Sequence, residues 1–551
     1  MGTRIEVSGF ADFETVNKVD DCRVWCWGIA PVTPDVTREQ VVHGLDVESF
    51  LEWVQDGPYN RIYFHNLAFD GDFILSHLLN GGWVWNEESL LRECQFSTCI
   101  SEMGQYYTIT CLFPNGRKIV FADSLKKLPL SISALAATYG LAERKLEIDY
   151  DADRPEGYEP TEEEWRYLDH DIIIGAKCVA HTIAEGNTKL TIGSDSLAAF
   201  KRITKDWEES LPVLERDVDD FIRGAYRGGW TFLNEKYARM VVCNGDVYDN
   251  NSIYPWAMRT QQLPYGNPTR FEGRPDPWRT YIVEITFTAR LRPGFLPCIQ
   301  IKNNTRFAAT QYLTEIVEPV TLTVTNIDLE LWQKYYDMNI IEWHGGFYFR
   351  TRTGLFNAYI DHYMAIKAAS AGGARLLAKL HLNSLYGKFA TRPEVRSKRP
   401  VLENGVIRLV ECEPEVKDPV YTPVSVFVTA HARRKTITAA QAFGDDFIYA
   451  DTDSVHVLRP NQGELVEHPS ELGLWKHEYS FSYGLYWRAK CYIDKRIDGV
   501  NEVHIAGMPR SVASELTICD FEPGRIFEGK LASKRVPGGV CLVPRPYELK
   551  V

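Results

Sequence analysis

The chain lacks any apolar run close to the roughly 18 residues that a membrane-spanning helix needs. Its opening residues, MGTRIEVSGFADFET, carry no apolar block of the secretory type, so the cytoplasm is the expected compartment and no membrane partner is expected. None of the 12 cysteines forms a CxxC pair, Cys22 and Cys26 coming nearest, so neither a zinc knuckle nor a secreted disulfide framework is indicated. A positive balance is missing too. The formal net charge of -13 argues against a general polyanion binder and leaves room for a local basic track. Length and apolar content are present: 551 residues, 45% of them hydrophobic, exceed one core and predict several domains.

Charge is unevenly placed. Between Asp361 and Pro400, eight basic side chains stand against Asp361 and Glu394, a local balance of +6. Apolar residues recurring at three- to five-residue steps predict a helix over Tyr359 to Phe389, interrupted at Gly372 and Gly373. On it Lys367, Arg375 and Lys379 share a side. The bland reading is a solvated face; the sharper one is a grip on phosphates.

Acidic residues cluster in short apolar settings. In DDFIYADTDSVHV, residues 445–457, strand periodicity predicts that Asp451 and Asp453 share a face. Like charges side by side are unfavourable unless a cation joins them, so the pair either points into water at a turn or holds a metal. Asp12 and Glu14 alternate with Phe10 and Phe13 in the same way. Asn66 and Asp70 follow a short strand at the mouth of a helix. Thr161 and Glu164 have capping-box spacing; the helix they open puts Tyr167 and Asp171 on one face and turns Asp169 elsewhere.

Taken in order, the DFE, NLAFD and YLDHD segments resemble the 3′–5′ exonuclease domain of family B DNA polymerases. That resemblance implies that Asp12, Glu14, Asp70 and Asp171 hold two divalent ions, that Tyr167 orients the attacking water, and that Lys145 sits near the scissile phosphate. It implies that Thr15, His65, Asn66, Phe69, Phe73, Ser124, Leu125 and Tyr150 hold the frayed single strand, a task suited to rings on which any base stacks. DNNSIYP (249–255), KLHLNSLYGKFA (379–390) and YADTDS (449–454) resemble the three polymerase motifs of the same family. By that resemblance Asp249 and Asp453 are metal ligands, with the carbonyl of Asn250 as a third and Asp451 in support. The cofactor implied is Mg2+, two ions per site, with Mn2+ able to substitute. Lys379, with Lys367 and Arg375, would meet the triphosphate of a dNTP, and Asn383 and Tyr386 would flank the nucleotide. Tyr254 would crowd a 2′-hydroxyl. Tyr226, Gly228 and Gly229 of YRGGW, Thr429 and Arg433 of TAHAR, Lys490 and Tyr492 of KCY, and Ser252, Gly387, Lys388 and Phe389 complete the implied contacts with DNA template and primer strand.

Two extra segments between the motifs, with LPYGNP and KDPVYTP at their edges, resemble the protein-primed branch of the family, that of small Bacillus phages. The implied fold is α/β and α+β multidomain: a ribonuclease H-like exonuclease domain (1–187), palm (188–259 and 420–506), a first insertion for the terminal protein (260–354), fingers (355–390), a DNA-encircling second insertion (391–419) and a small thumb (507–551). The implied protein is a processive, strand-displacing monomer in the cytoplasm of an infected host cell. Two rivals are a 3′–5′ exonuclease whose palm is scaffold and a DNA-binding protein without chemistry.

Overall fold

The structure, a computed structural model, describes residues 7–150, 152–301, 311–459 and 465–549. Ser8–Asn17, buried along most of its length, lies between Cys22–Pro31, which is antiparallel to it, and Arg61–Phe64, which is parallel. Arg61–Phe64 runs parallel in turn to Lys118–Asp123. Among the described residues this first sheet has ten strands, and its far edge comes from elsewhere in the chain: Ser397–Glu403 pairs with Gln95–Ser101, and Val406–Glu411 follows it.

Helices Leu67–Asn80 and Glu162–Ala184 pack on this sheet. The second starts where the spacing predicts, with Thr161 and Glu164 exchanging side-chain to backbone hydrogen bonds. It comes unusually near the sheet because Gly175 faces the Phe10 ring, where a Cβ would lie only 2.0 Å away. That approach brings Asp171, one turn earlier, down toward Asp12.

The second sheet has seven strands among the described residues, in the order Asn501–Ile505, Cys491–Arg496, Trp475–Arg488, Val241–Asn250, Ser454–Leu458, Phe447–Asp451, Thr231–Leu233. Helix Pro423–Phe443, with proline in its first turn, lies behind it and is buried along most of its length. Strands Leu263–Phe271, Thr280–Leu291, Glu315–Thr325 and Tyr336–Arg352 form a four-stranded antiparallel sheet. The expected Tyr359–Phe389 helix is two helices, Asn357–Ala369 and Gly372–Lys388. The break falls at Ser370 and Ala371, where the backbone becomes extended just ahead of the glycines.

The last hairpin, Leu531–Val536 and Gly539–Pro544, returns to the first sheet. Val536, Val540 and Cys541 join the core of Phe64, Phe73 and Ile109, and so does Ile407 of the 397–411 hairpin. One hydrophobic core therefore contains three stretches distant in sequence. Among the described residues no helix is long and apolar enough to cross a membrane.

Candidate active sites

The first site is a cleft of about 820 Å³ containing Asp12, Glu14, Asp70 and Asp171. Asp12 and Glu14 come from one face of Ser8–Asn17, Asp70 from the first turn of Leu67–Asn80, and Asp171 from the middle of Glu162–Ala184. The Leu67–Asn80 helix is launched by Asn66 in the left-handed region (φ 81°), whose N–H donates to Asp123 Oδ1 at 3.1 Å. Burial and the charge of Asp171 push the Asp12 carboxyl up to about 7. Burial raises Glu14, with Asp12 and Asp171 adding to it, and burial followed by Asp12 raises Asp70. Asp171 is raised by burial against the pull of Lys145.

Lys145 Nζ donates to Asp171 Oδ2 and, at 3.0 Å, to the Tyr167 hydroxyl, which in turn meets Tyr150 OH at 2.5 Å. Asp171 Oδ1 is buried without a hydrogen-bond partner. Hard carboxylate oxygens that raise one another's pKa, one of them orphaned, suit a hard divalent cation. Among the described residues, no three His, Cys, Asp or Glu side chains already close on one point; here a lysine ammonium stands against the carboxylates.

Thr15, Asn66, Phe69 and Tyr150 line the cleft. His65 lines it as well, but its ring nitrogens lie 2.9 Å from Ser124 Oγ and 2.7 Å from the Leu130 carbonyl. The Ser124 side chain is buried and donates to the Phe64 carbonyl, and Leu125 N–H donates to Asp123 Oδ1. Phe73, expected to face the single strand, is 1% exposed and lies under Gly539. Its ring supports the wall because the last hairpin covers it. Sequence reasoning missed the opposite wall, supplied by Leu531, Ser533, Leu542 and Pro544 of that hairpin.

In the second site Asp249 is the penultimate residue of Val241–Asn250, directly across from Ser454. Asn250 N–H donates to the Asp453 carbonyl at 2.7 Å, locking the two acidic segments together. Burial and then Asp453 push the Asp249 carboxyl up to about 7; burial and Asp451 push Asp453 up to about 6, and the Lys379 charge pulls both down. The Asn250 side chain is fully buried, its amide donating to the Gly473 carbonyl at 2.8 Å and its Oδ1 without a partner.

Asp451 and Asp453 do not share a strand face, which corrects the expectation from periodicity. The chain turns between them, with Thr452 at φ 65°, and Asp451 pairs across the hairpin with Ser454. Asp451 accepts from Lys490 Nζ at 2.8 Å on both oxygens and from Thr231 Oγ1 at 2.9 Å, so both its oxygens are engaged, while the charge of Asp453 raises the Asp249 carboxyl.

Opposite stands the cationic helix pair. Burial lowers the Lys367 pKa, and the charges of Arg375 and Lys379 lower it further, so the three cations are close neighbours. Asn383 is exposed on the same helix. Tyr254 and Tyr386 stack with centroids 4.0 Å apart and planes at 21°; Ser425 Oγ donates to the Tyr386 carbonyl at 2.5 Å. Tyr226 is close enough for Tyr386 to raise its pKa, after burial. Ser252 takes φ 52° at the start of the Ile253–Thr260 helix. Gly228 and Gly387 face open space, Gly229 abuts Thr452, and Lys388 is half-buried beside Gly193.

Four residues expected to contact DNA are buried in this structure. Phe389 packs on Phe200 and Phe356 in the core. Thr429 is 1% exposed and returns its hydroxyl to Ser425 and Val426 of its own helix. Arg433, also buried, is an internal strut: it meets Asp328 at 2.6 and 3.0 Å and donates to the Gly228 carbonyl at 2.9 Å. Tyr492 is stacked between Tyr486 and His504. Lys490 remains at the surface at φ 57°.

Comparison with known proteins identifies the family and the fold. The chain matches the family described as DNA polymerase type B, organellar and viral, over residues 58–158 and 144–472. It is 41% identical to the DNA polymerase of Bacillus phage M2 over 98% of this chain and 99% of that one. Identity is 40% to the DNA polymerase of Bacillus phage phi29, covering 98% of each, and 34% to that of Streptococcus phage Cp-1. Its fold superposes on phi29 DNA polymerase with a TM-score of 0.93 at 37% identity, covering 99% of this chain and 100% of the other. The architecture is thus a multidomain α/β polymerase with exonuclease, palm, fingers and thumb. The chain belongs to the family B DNA polymerases, of the type found in these Bacillus phages, and is a DNA-directed DNA polymerase.

Proposed function

We propose that the two carboxylate sites divide the work of a protein-primed, strand-displacing replicase, the Asp249–Asp453 site extending a primer and the Asp12–Asp171 site trimming it. The observation that carries this reading is the pairing of Asp249 with Asp453, held by Asn250 under the Lys379 charge, in a sheet separate from the one bearing Asp12 and Glu14.

Extension forms a bond between the primer 3′-oxygen and the α-phosphorus of a dNTP, and pyrophosphate leaves. Lys379, Lys367 and Arg375 bind and orient the triphosphate, while Tyr254 and Tyr386 bound the sugar pocket. Lys490 and Tyr492 hold the primer end. Trimming transfers a water oxygen to the terminal phosphodiester and releases a nucleoside monophosphate; Tyr167 orients that water and Lys145 faces the phosphate. Family B DNA polymerases generally use divalent metals. Mg2+ bound by Asp249, Asp453 and the Asn250 carbonyl, and by Asp12, Glu14, Asp70 and Asp171, would neutralise phosphate charge and acidify the attacking hydroxyl or water.

The segment 260–354 is assigned to a terminal protein that supplies the priming hydroxyl, and the 397–411 hairpin to a ring around DNA. Support for the ring comes from the last hairpin meeting the 397–411 hairpin at the edge of the first sheet, where a Cβ on Gly405 would lie 3.6 Å from Pro537. One solved relative is phi29 polymerase complexed with primer-template DNA and incoming nucleotides, which favours the same ligands here; the proposed setting is a monomer in the cytoplasm of an infected cell.

Primer extension with dNTPs and Mg2+ tests the division. Asp453→Ala abolishes extension and spares digestion of single strands; Asp12→Ala with Asp70→Ala does the reverse. If either change eliminated both activities in a folded protein, the two-site reading would be wrong. Attachment of a nucleotide to a purified tyrosine- or serine-bearing partner tests the priming assignment.

A further inference from the structure

Beneath the Lys490 turn lies a buried polar network that none of the motifs names. Asp494 is fully buried and accepts hydrogen bonds from Tyr486 OH at 2.7 Å and Tyr479 OH at 3.0 Å. His456, 1% exposed, places Nδ1 2.9 Å from the same Tyr486 hydroxyl and 3.3 Å from Asp494 Oδ2.

This contact crosses the second sheet. Asp494 lies on Cys491–Arg496 and His456 on Ser454–Leu458, with Trp475–Arg488 and Val241–Asn250 between them. Three strand spacings amount to roughly 14 Å along a flat sheet, so the carboxylate and imidazole meet only because the sheet curls. Gly484, across from Asp494 on the intervening strand, makes the room: a Cβ there would lie 2.3 Å from Asp494 Oδ1.

Both of these strands begin at working turns. Ser454–Leu458 follows directly from Asp453, and Cys491–Arg496 follows directly from Lys490. Rings fill the space between: Tyr492 stacks on Tyr486 at 5.3 Å and meets His456 edge-on at 5.0 Å, while Tyr449 OH accepts from Lys490 N–H at 3.0 Å. A buried carboxylate is a poor source of stability compared with an apolar side chain of similar size, and its best-attested use is to fix one geometry among several.

We propose that Asp494, acting through Tyr486 and His456, is a positioning residue for the primer terminus, setting the distance between the Lys490–Tyr492 turn and the Asp451–Asp453 turn. It touches no reacting atom. Its effect is expected in the grip on primed DNA and not in the chemical step.

Steady-state extension by the full-length protein, with primer-template DNA, dNTPs and Mg2+, tests this. Asp494→Leu raises the KM for primer-template about tenfold, the usual consequence of losing an orienting partner one shell away, with kcat little changed. Asp494→Asn, which keeps an accepting oxygen, stays within about twofold of the parent, and Tyr486→Phe falls between. A packing role alone would lower the folded fraction, and so kcat, without moving KM. Unchanged KM in folded Asp494→Leu overturns the proposal; if that variant does not fold, unchanged KM in Tyr486→Phe does so. The proposal rests on the assignment of Lys490 and Tyr492 to the primer end, and Lys490→Ala separates the two. Unchanged KM in Lys490→Ala overturns that assignment, whereas raised KM there with unchanged KM in the network variants overturns only the positioning role.

Discussion

Arg535, in the last hairpin, sets its Nε 2.7 Å from Oδ2 of Asp72, a residue only 1% exposed on the Leu67–Asn80 helix. Tyr106 OH donates to the other oxygen at 2.6 Å. A carboxylate sunk into the N-terminal core is therefore satisfied partly by a distant part of the chain. Removing the guanidinium leaves that charge buried with a hydroxyl alone. Arg535→Ala is expected to lower the unfolding free energy by about 2–3 kcal/mol, below the range for fully buried pairs because Arg535 retains 30% exposure. Replacing both partners, Asp72→Leu with Arg535→Met, recovers most of the loss. Urea unfolding of the single and double variants measures the order, and an Arg535→Ala protein as stable as the parent would contradict it.

The turn of the same hairpin makes a second prediction. Gly538 adopts φ 91°, and a Cβ there would lie 2.3 Å from the Cys22 carbonyl oxygen. Gly538→Ala combines left-handed strain with a backbone clash and should destabilise by about 2–4 kcal/mol. Gly524→Ala is the control, since Gly524 has φ 76° with nothing within 4 Å; strain alone should cost about 1 kcal/mol. Hydrogen exchange resolves the difference, with faster exchange confined to residues 531–544 in the Gly538 variant.

The acids are legible in the sequence because each sits where a local rule places it. Strand alternation sets Asp12 with Glu14, a strand-to-helix junction sets Asp70, and a capping box fixes the phase of Asp171. The same alternation misplaces Asp451 and Asp453, because the DTDS turn has no glycine to announce it and Thr452 itself takes the positive φ. Arg433 shows the other limit. A motif identifies the residue, but its burial depends on Asp328, 105 residues earlier in the chain, and a pairing at that separation leaves no periodic trace. The second cleft wall from Leu531, Ser533, Leu542 and Pro544 is invisible for the same reason.

Acid sensitivity follows from two buried imidazoles. His381, 1% exposed, places Nε2 2.7 Å from Asn187 Oδ1 and stacks on Tyr363 at 4.2 Å. Burial, with Arg202 next, lowers its pKa to about 3; burial and Arg434 do the same to His431. In the unfolded chain a histidine titrates near 6.5, so between about 6.5 and 3 the unfolded state holds more protons than the folded one. Stability from these groups is complete above pH 6.5 and is lost as the pH falls through that window, on the order of 1.4 kcal/mol per pH unit for each histidine. His381→Gln, which keeps a donor to Asn187 without a titrating ring, should flatten the slope of unfolding free energy against pH between 6.5 and 5. An unchanged slope would assign the acid sensitivity elsewhere.

In the proposed sugar pocket, the tyrosine stack would govern which nucleotides are accepted. Tyr254 is half-buried and is held from behind by Tyr386, whose own backbone is fixed by Ser425. Because the supporting ring lies 4.0 Å away and nearly parallel, Tyr254 cannot recede when a larger sugar arrives; a 2′-hydroxyl would have to displace two rings. Tyr254→Val empties that volume and leaves Asp249, Asp453 and the cationic helices untouched. Ribonucleotide insertion relative to deoxynucleotide insertion is expected to rise by roughly 10- to 100-fold, the scale on which a single steric contact discriminates, with deoxynucleotide extension largely retained. Tyr386→Ala tests the support separately: if the stack is what holds Tyr254 forward, this change alone should relax the discrimination part of the way. Single-nucleotide insertion kinetics with matched rNTP and dNTP measure both effects, and undiminished discrimination in Tyr254→Val would remove this ring from the sugar pocket.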